Sequence, residues 1–205
     1  MIISHQKRFV FIHIYKVAGT SVRSALAPYA DVTFRKYTAH RMLYVLGLAP
    51  APGDHHKAID IRAKLGGKTF DSYYSFAFVR NPWDWQVSLY HYICSHPLHP
   101  QHRTIKKLEN FNDYISWRID NGVELQKSFV TDLDGRVILD FVGHYENLSS
   151  DFSKACQALG IESTLPHKNI SKHQDYKQYY NDRTAQKIAD HYKEDIELFG
   201  YSFEP

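Results

Sequence analysis

The pattern of apolar residues near the start of the chain predicts a strand followed by a helix. Residues 9–14 (FVFIHI) form a run of aromatic and β-branched side chains that is typical of a buried strand. Beyond Gly19 the spacing becomes helical, with apolar side chains at Val22, Ala25, Leu26 and Tyr29. A strand, a glycine turn and a helix are together the opening of an α/β unit.

The same alternation of strands and helices continues along the chain. Residues 73–79 predict a second strand, after which Asn81 and Pro82 supply the N-cap and the first residue of a helix. Residues 137–142 predict a third strand, followed by a short helix from about residue 150 to 160. A last helix is expected to begin with Asp182 as its cap and to end just before Gly200.

These elements predict an α/β fold with a central, mainly parallel sheet flanked by helices, on a single domain over residues 1–205. Residues 96–134 carry polar helical segments, and we expect them to form a helical insertion or a lid. Residues 91–102 include His91, His96, His99 and His102, but Pro97 and Pro100 interrupt any shared helical face. A solvated loop is therefore favoured over a metal site.

Composition narrows the class of protein. Of 205 residues, 25 are Lys or Arg and 22 are Asp or Glu, so the net charge of +3 argues against a nucleic-acid partner bound through bulk charge. The two cysteines, Cys94 and Cys156, are too few for a disulfide framework or a zinc site. No apolar run approaches the roughly 20 residues of a membrane span, so no stable membrane insertion is expected. We expect a soluble, cytoplasmic protein, or one of the Golgi lumen if an anchor has been removed.

The first candidate site is the sequence Lys16-Val17-Ala18-Gly19-Thr20-Ser21 at the first predicted turn. Backbone N–H groups at a helix N-terminus attract anions, and one lysine and two hydroxyls add to them here. The order differs from the G-x-x-x-x-G-K-[ST] loop of nucleotide triphosphatases, because Lys16 precedes Gly19. The alternative is an ordinary helix start with a surface lysine.

The second candidate site runs from Arg80 to Ser88. Arg80 follows the second predicted strand, and open α/β sheets bind ligands beyond the carboxyl ends of their strands. Arg80 could hold a phosphate bidentately while Ser88, two helical turns later, donates a hydrogen bond. The alternative is a structural arginine that pairs with Asp84.

Two anion sites at strand ends suit a ligand that is phosphorylated at both ends, and their sequences resemble the PAPS-dependent sulfotransferases. Residues 16–21 resemble the family's K-[TV]-[AG]-G-T-S loop, and residues 80–88 its R-N-P-[WY]-D-x-x-x-S motif. The segments 55–66, 142–148 and 169–201 are similar to further family patterns. The resemblance covers about residues 8–203 and is to the carbohydrate-type enzymes with short bacterial members.

Three positions depart from the family pattern. Tyr15 stands where many members have proline, which affects how the chain enters the loop. Trp85 and His144 each stand in place of an arginine, so any cofactor or acceptor contact made by those arginines is absent here.

The resemblance implies a P-loop-like three-layer fold and transfer of the sulfuryl group of PAPS to an acceptor hydroxyl, with PAP as product and no metal. It implies that Lys16, Val17, Ala18, Gly19, Thr20 and Ser21 hold the 5′ end of the donor. Arg80 and Ser88 would hold its 3′-phosphate. A carbohydrate is the expected acceptor, facing the 96–134 insertion, although a small metabolite, a lipid-linked glycan or a tyrosyl side chain remain alternatives.

The general base is expected to be a histidine, because its pKa lies near neutrality. His55 matches a family position; His56 and His40 are its nearest rivals, and Glu146 is the reserve candidate. Residues 168–177 could fold over the nucleotide as a gate, and they include Lys168, Lys172, His173, Tyr176 and Lys177. The equal alternative is an ordinary basic loop.

Two other functions remain open at this point. A P-loop-like kinase would need a carboxylate for Mg²⁺ at a strand end, and Asp140 is the tolerable candidate. A non-catalytic PAP-binding or glycan-binding module would keep Lys16 and Arg80 for binding alone.

Overall fold

The computed structural model describes residues 1–31, 55–166 and 174–204. In chain order the strands are β1 (Ile2–Ser4), β2 (Phe9–Ile12), β3 (Tyr74–Val79) and β4 (Phe141–His144). The α-helices are α1 (Gly19–Leu26), α2 (Ala58–Leu65), α3 (Gly67–Asp71), α4 (Pro82–Ser95), α5 (His102–Ile105), α6 (Phe111–Asp120), α7 (Leu148–Leu159), α8 (Asp182–His191) and α9 (Lys193–Phe199).

These elements fall into two compact units. The first contains Met1–Val79 and Ser128–Asn169, and the second contains Arg80–Lys127 and Ile170–Pro205. The first unit therefore holds the sheet with α1, α2, α3 and α7, and the second is helical.

The first unit is built on a four-stranded sheet of order β1-β2-β3-β4. β2 pairs with β3 in parallel, β3 pairs with β4 in parallel, and β1 pairs with β2 antiparallel. Every side chain of β2 is buried, as the apolar run over residues 9–14 predicts. Phe11 and Phe76 pack across the β2–β3 pair with ring centroids 5.2 Å apart. The predicted α/β fold with a mainly parallel sheet is confirmed.

Two details of this sheet differ from the prediction. The short antiparallel β1 is too brief to have a readable pattern and was not predicted. The third strand occupies 141–144 rather than 137–142, because the chain before it turns back on itself: Val137 forms an isolated antiparallel bridge with Thr131.

The second unit begins with α4, which starts as predicted. The side chain of Asn81 accepts a hydrogen bond from the backbone N–H of Trp83, and Pro82 occupies the first turn. The predicted last helix is instead two helices, α8 and α9, which meet at Tyr192 with φ −97° and ψ 19°. Its cap is Asn181 rather than Asp182, because Asn181 forms a reciprocal capping box with Thr184.

The helical segments expected between residues 96 and 134 are present as α5, α6 and a short 3₁₀ turn at Gln126–Phe129. Their role as a lid, and the single-domain prediction, stay predictions. No helix within the described ranges has both the length and the apolarity needed to cross a bilayer.

Candidate active site

The loop that follows β2 is anchored by apolar residues and has an unusual backbone. Ile14 and Val17 are fully buried on either side of Lys16. Lys16 and Ala18 both adopt the left-handed region, with φ of 63° and 59°, which costs a non-glycine residue free energy and is frequent at functional sites. The carbonyl of Ala18 accepts hydrogen bonds from the N–H groups of Ser21 and Val22 and so starts α1.

The first turn of α1 has the features of an anion site. No side chain caps this helix, and its first turn contains no acidic residue. Backbone N–H groups there carry partial positive charge, which the hydroxyls of Thr20 and Ser21 supplement. The strand, loop and helix predicted at residues 16–21 are therefore present, in a form that suits a phosphate or a sulfate.

Gly19 is required by its neighbour His13. A Cβ atom added at residue 19 would overlap the ring atoms Cδ2 and Nε2 of His13. The imidazole thus lies directly against the backbone of the loop.

His55 lies beside the same loop. A hydrogen bond of 2.9 Å joins Nδ1 of His55 to the backbone carbonyl of His13. Because a carbonyl can only accept, Nδ1 carries a proton, and in the neutral form of the ring the lone pair is therefore on Nε2. The ring centroid of His55 lies 4.6 Å from that of His13 and 5.6 Å from that of Tyr15, the residue before Lys16. This predicted candidate is therefore brought to the first motif.

His13 is a buried, neutral imidazole. Its pKa is held well below the usual value, first by burial and then by electrostatic repulsion from the N-terminus, from the protonated form of His55 and from Arg23. Within the described part of the chain, Nδ1 of His13 has no hydrogen-bond partner. Sequence reasoning missed this residue, although a histidine inside an otherwise apolar strand was a visible signal.

Arg80 of the second motif lies in the second unit and is almost fully buried, with 2% of its surface exposed. Its Nε donates a 2.7 Å hydrogen bond to Oδ2 of Asp84, so the pair expected for a structural arginine is formed. A guanidinium carries five N–H donors, so pairing at Nε does not exclude an anion at the other nitrogens. Ser88, also 2% exposed, lies two turns along α4.

A buried amide also holds the backbone of Arg80. The side chain of Gln126 accepts a 2.9 Å hydrogen bond from the Arg80 N–H and donates a 2.8 Å hydrogen bond to the Arg80 carbonyl. Asp195 in turn accepts hydrogen bonds of 2.8 Å from the backbone N–H groups of Gln126 and Lys127. Burial raises the pKa of Asp195 to about 6 despite these donors. Neither Gln126 nor Asp195 was expected, because no local pattern connects residues 46 or 69 positions apart.

The other predicted candidates are His56, Glu146, His40 and the residues of the expected gate. His56 lies next to His55 before α2, and Glu146 is exposed in the 3₁₀ turn Tyr145–Asn147. His40 and residues 168–173 of the expected gate lie outside the described residues.

Asp140, the carboxylate that a kinase would need for Mg²⁺, lies at the wrong end of the sheet. Its Oδ2 accepts hydrogen bonds from the backbone N–H and the hydroxyl of Ser75, near the amino end of β3. The loop with Lys16 follows the carboxyl end of the parallel neighbour β2. Within the described ranges, no group of three or more His, Cys, Asp or Glu side chains is arranged to hold a metal ion.

Comparison with known proteins agrees with the resemblance seen in the sequence. The chain matches the model of the sulfotransferase family over residues 1–202. It is similar to an uncharacterised protein of Archaeoglobus fulgidus, with 34% identity over 111 residues that cover 51% of this chain and 82% of that protein. It also resembles the crystal structure of mouse sulfotransferase SULT7A1 complexed with PAP, with a TM-score of 0.57 and 13% identity over 97% of this chain and 90% of that one.

The structural likeness confirms the predicted fold, and the family match, which spans almost all of the sequence, confirms the predicted family. The chain belongs to the sulfotransferase family, whose enzymes transfer sulfuryl groups.

Proposed function

We propose that this sulfotransferase uses PAPS as its donor and transfers the sulfuryl group to a hydroxyl of a carbohydrate, with PAP as product. The observation that carries the proposal is the hydrogen bond from Nδ1 of His55 to the carbonyl of His13, three residues before Lys16. It sets a histidine with a basic Nε2 beside the loop that resembles the family's donor loop. PAP in the complex of the mouse sulfotransferase supports the choice of donor.

Lys16 and the first turn of α1 bind the 5′ end of the donor in this proposal. The N–H groups around Gly19, with the hydroxyls of Thr20 and Ser21, hold the 5′-phosphate, and Val17 and Ala18 fix the loop. Lys16 neutralises the charge that grows on the bridging oxygen as the sulfur–oxygen bond breaks. Sulfuryl transfer by in-line displacement depends mainly on such positioning and electrostatics, as phosphoryl transfer does.

Arg80 and Ser88 bind the 3′-phosphate, which distinguishes PAPS from ATP. Arg80 is well suited to this because its guanidinium is buried, and charge-assisted hydrogen bonds are strongest where water is excluded. Losing one contact of this kind costs roughly 1.5–3 kcal/mol of binding free energy.

His55 acts as the general base. Its Nε2 takes the proton of the acceptor hydroxyl while Nδ1 remains hydrogen-bonded to His13. His55 is exposed, so a large acceptor can reach it. The resemblance to carbohydrate-type enzymes supports a sugar hydroxyl as that acceptor.

Calorimetric titration with PAP, ADP and Mg²⁺-ATP tests the donor. We expect tight binding of PAP alone, lost in Arg80→Ala and largely kept in Lys16→Ala, which should nevertheless abolish transfer. Preference for Mg²⁺-ATP would refute the proposal in favour of a kinase. PAP binding with no turnover on any acceptor would favour a binding module.

Transfer from radiolabelled PAPS to a panel of oligosaccharides, phenols and tyrosyl peptides tests the acceptor and the base. We expect label on the oligosaccharides, and a kcat about 10²–10⁴-fold lower in His55→Ala with unchanged PAP affinity. His56→Ala is the matched control and should keep its kcat. A loss of kcat in His56→Ala alone would assign the base to His56 instead.

A further inference from the structure

Arg80 is held at its backbone as well as at its side chain. The amide of Gln126 satisfies both the N–H and the carbonyl of Arg80, in the way that a neighbouring strand would. Gln126 is fully buried, so these two hydrogen bonds face little competition from water. Because the direction of a side chain follows from the φ and ψ of its residue, this pair restricts where the guanidinium can point.

Asp195 restrains Gln126 in turn. Its two carboxylate oxygens accept from the consecutive N–H groups of Gln126 and Lys127, which anchors the 3₁₀ turn Gln126–Phe129 to α9. Asp195 is also fully buried. A continuous chain of hydrogen bonds therefore runs from Asp195 through Gln126 to Arg80 and, at its far end, to Asp84.

We propose that Gln126, supported by Asp195, is a positioning residue that sets recognition of the 3′-phosphate through Arg80. This inference rests on the proposed function, because it takes Arg80 to be the 3′-phosphate ligand. Gln126 itself does not contact the donor. It holds the backbone of Arg80 while Asp84 holds Nε, so that the guanidinium is already oriented when the nucleotide arrives and pays little ordering entropy on binding.

The ratio of the affinities for PAP and AMP tests this, because the two nucleotides differ in the 3′-phosphate alone. We expect Gln126→Met to weaken PAP binding about tenfold and to leave AMP binding within about twofold. Asp195 contacts Gln126 and not Arg80, so Asp195→Asn should also lower the ratio of PAP to AMP affinity, but by a smaller factor. In an Arg80→Ala background, Gln126→Met should lower the ratio no further, which a purely structural loss would not reproduce.

Gln86→Met is the matched control. Gln86 is a fully buried glutamine of the same unit that bonds the hydroxyls of Tyr192 and Tyr114, so its loss should lower the melting temperature without changing the ratio. An unchanged ratio in both Gln126→Met and Asp195→Asn would overturn the positioning role while leaving the donor site intact. A wild-type protein that binds PAP no better than AMP would overturn the proposed 3′-phosphate site itself. The melting temperatures of all variants identify any that fail to fold. The affinity ratios of the folded variants then decide whether Gln126 and Asp195 position Arg80.

Discussion

At the scale of single residues, the contact between Gly19 and His13 should make the protein sensitive to any side chain at position 19. The φ of Gly19 is not positive, so a side chain is excluded here by the imidazole ring and not by the backbone. We expect Gly19→Ala to lower the free energy of unfolding by about 1–3 kcal/mol, as overpacking of a buried site does. The change in unfolding free energy is measured by denaturant titration, with circular dichroism as the signal.

Gly67→Ala is the control for this substitution. Gly67 also lies in the first turn of a helix, and a Cβ added there would lie 3.3 Å from the flexible end of Arg62. Alanine should be tolerated at this site. Equal stability of Gly19→Ala and wild type would mean that the imidazole can move aside, and that its packing against the loop is loose.

At the scale of elements, the start of α4 depends on Asn81. Its Oδ1 accepts from the N–H of Trp83, and its Nδ2 donates to the carbonyl of Ser202. Asn81→Ala should lower the free energy of unfolding by about 1 kcal/mol through the lost cap, and by more if the Ser202 carbonyl is left unsatisfied. Asn81→Asp keeps the cap, so its melting temperature should lie between those of Asn81→Ala and the wild type.

A second cap provides the comparison. Asn110 accepts from the N–H of Asp113 at the start of α6 and lies in an exposed position. Asn110→Ala should lower the free energy of unfolding only by the contribution of the cap, about 1 kcal/mol. A larger effect at Asn110 than at Asn81 would contradict the importance given to the Ser202 contact.

Elements with a strong local pattern were predictable. The apolar run of β2, the Asn81-Pro82 start of α4 and the helical spacing after Gly19 each depend on residues close in sequence. The break between α8 and α9 was not predictable, because the apolar stripe continues through Tyr192, whose buried hydroxyl accepts from Gln86 106 positions away. The Asn181 cap was missed because Asp182 beside it is an equally good capping residue type.

In the candidate site, too, the features set by neighbouring residues were predictable and the long-range contacts were not. The placement of Lys16 and Arg80 after β2 and β3 was predictable, because both residues follow apolar strands, and their roles in binding stay predictions. The hydrogen bond from His55 to the carbonyl of His13, and those from Gln126 to Arg80, form between residues 42 and 46 positions apart, which only the folded chain brings together. Long-range polar contacts of this kind leave no periodicity in the sequence.

At the scale of the whole molecule, Asp195 should make stability depend on pH. Its pKa in the folded protein is about 6, against a usual 3.8, because burial outweighs the two N–H donors. The unfolded carboxyl loses its proton first, so the stabilising contribution of Asp195 is greatest below about pH 4 and is lost as the pH rises through 6. A shift of this size corresponds to about 3 kcal/mol.

The difference in unfolding free energy between wild type and Asp195→Asn, measured from pH 4 to pH 7, isolates this effect from other carboxylates. We expect the advantage of the wild type to shrink as the pH rises. An NMR titration of the Asp195 carboxyl should have its midpoint near 6. A midpoint near 4 would mean that the two backbone donors compensate for burial.

The order of the strands has a consequence for the motions of the loop that contains Lys16. β2 and β3 are the central strands, each paired on both sides, while β1 and β4 each pair with a single strand among the described residues. Opening a central strand breaks two ladders, so its amide protons should exchange with solvent most slowly in the sheet. The loop with Lys16 leaves one of these strands, and Arg80 follows the other directly. Both motifs therefore directly follow the strands that open least often. Local unfolding of the edge strands β1 and β4 should leave the backbone at the start of both motifs in place.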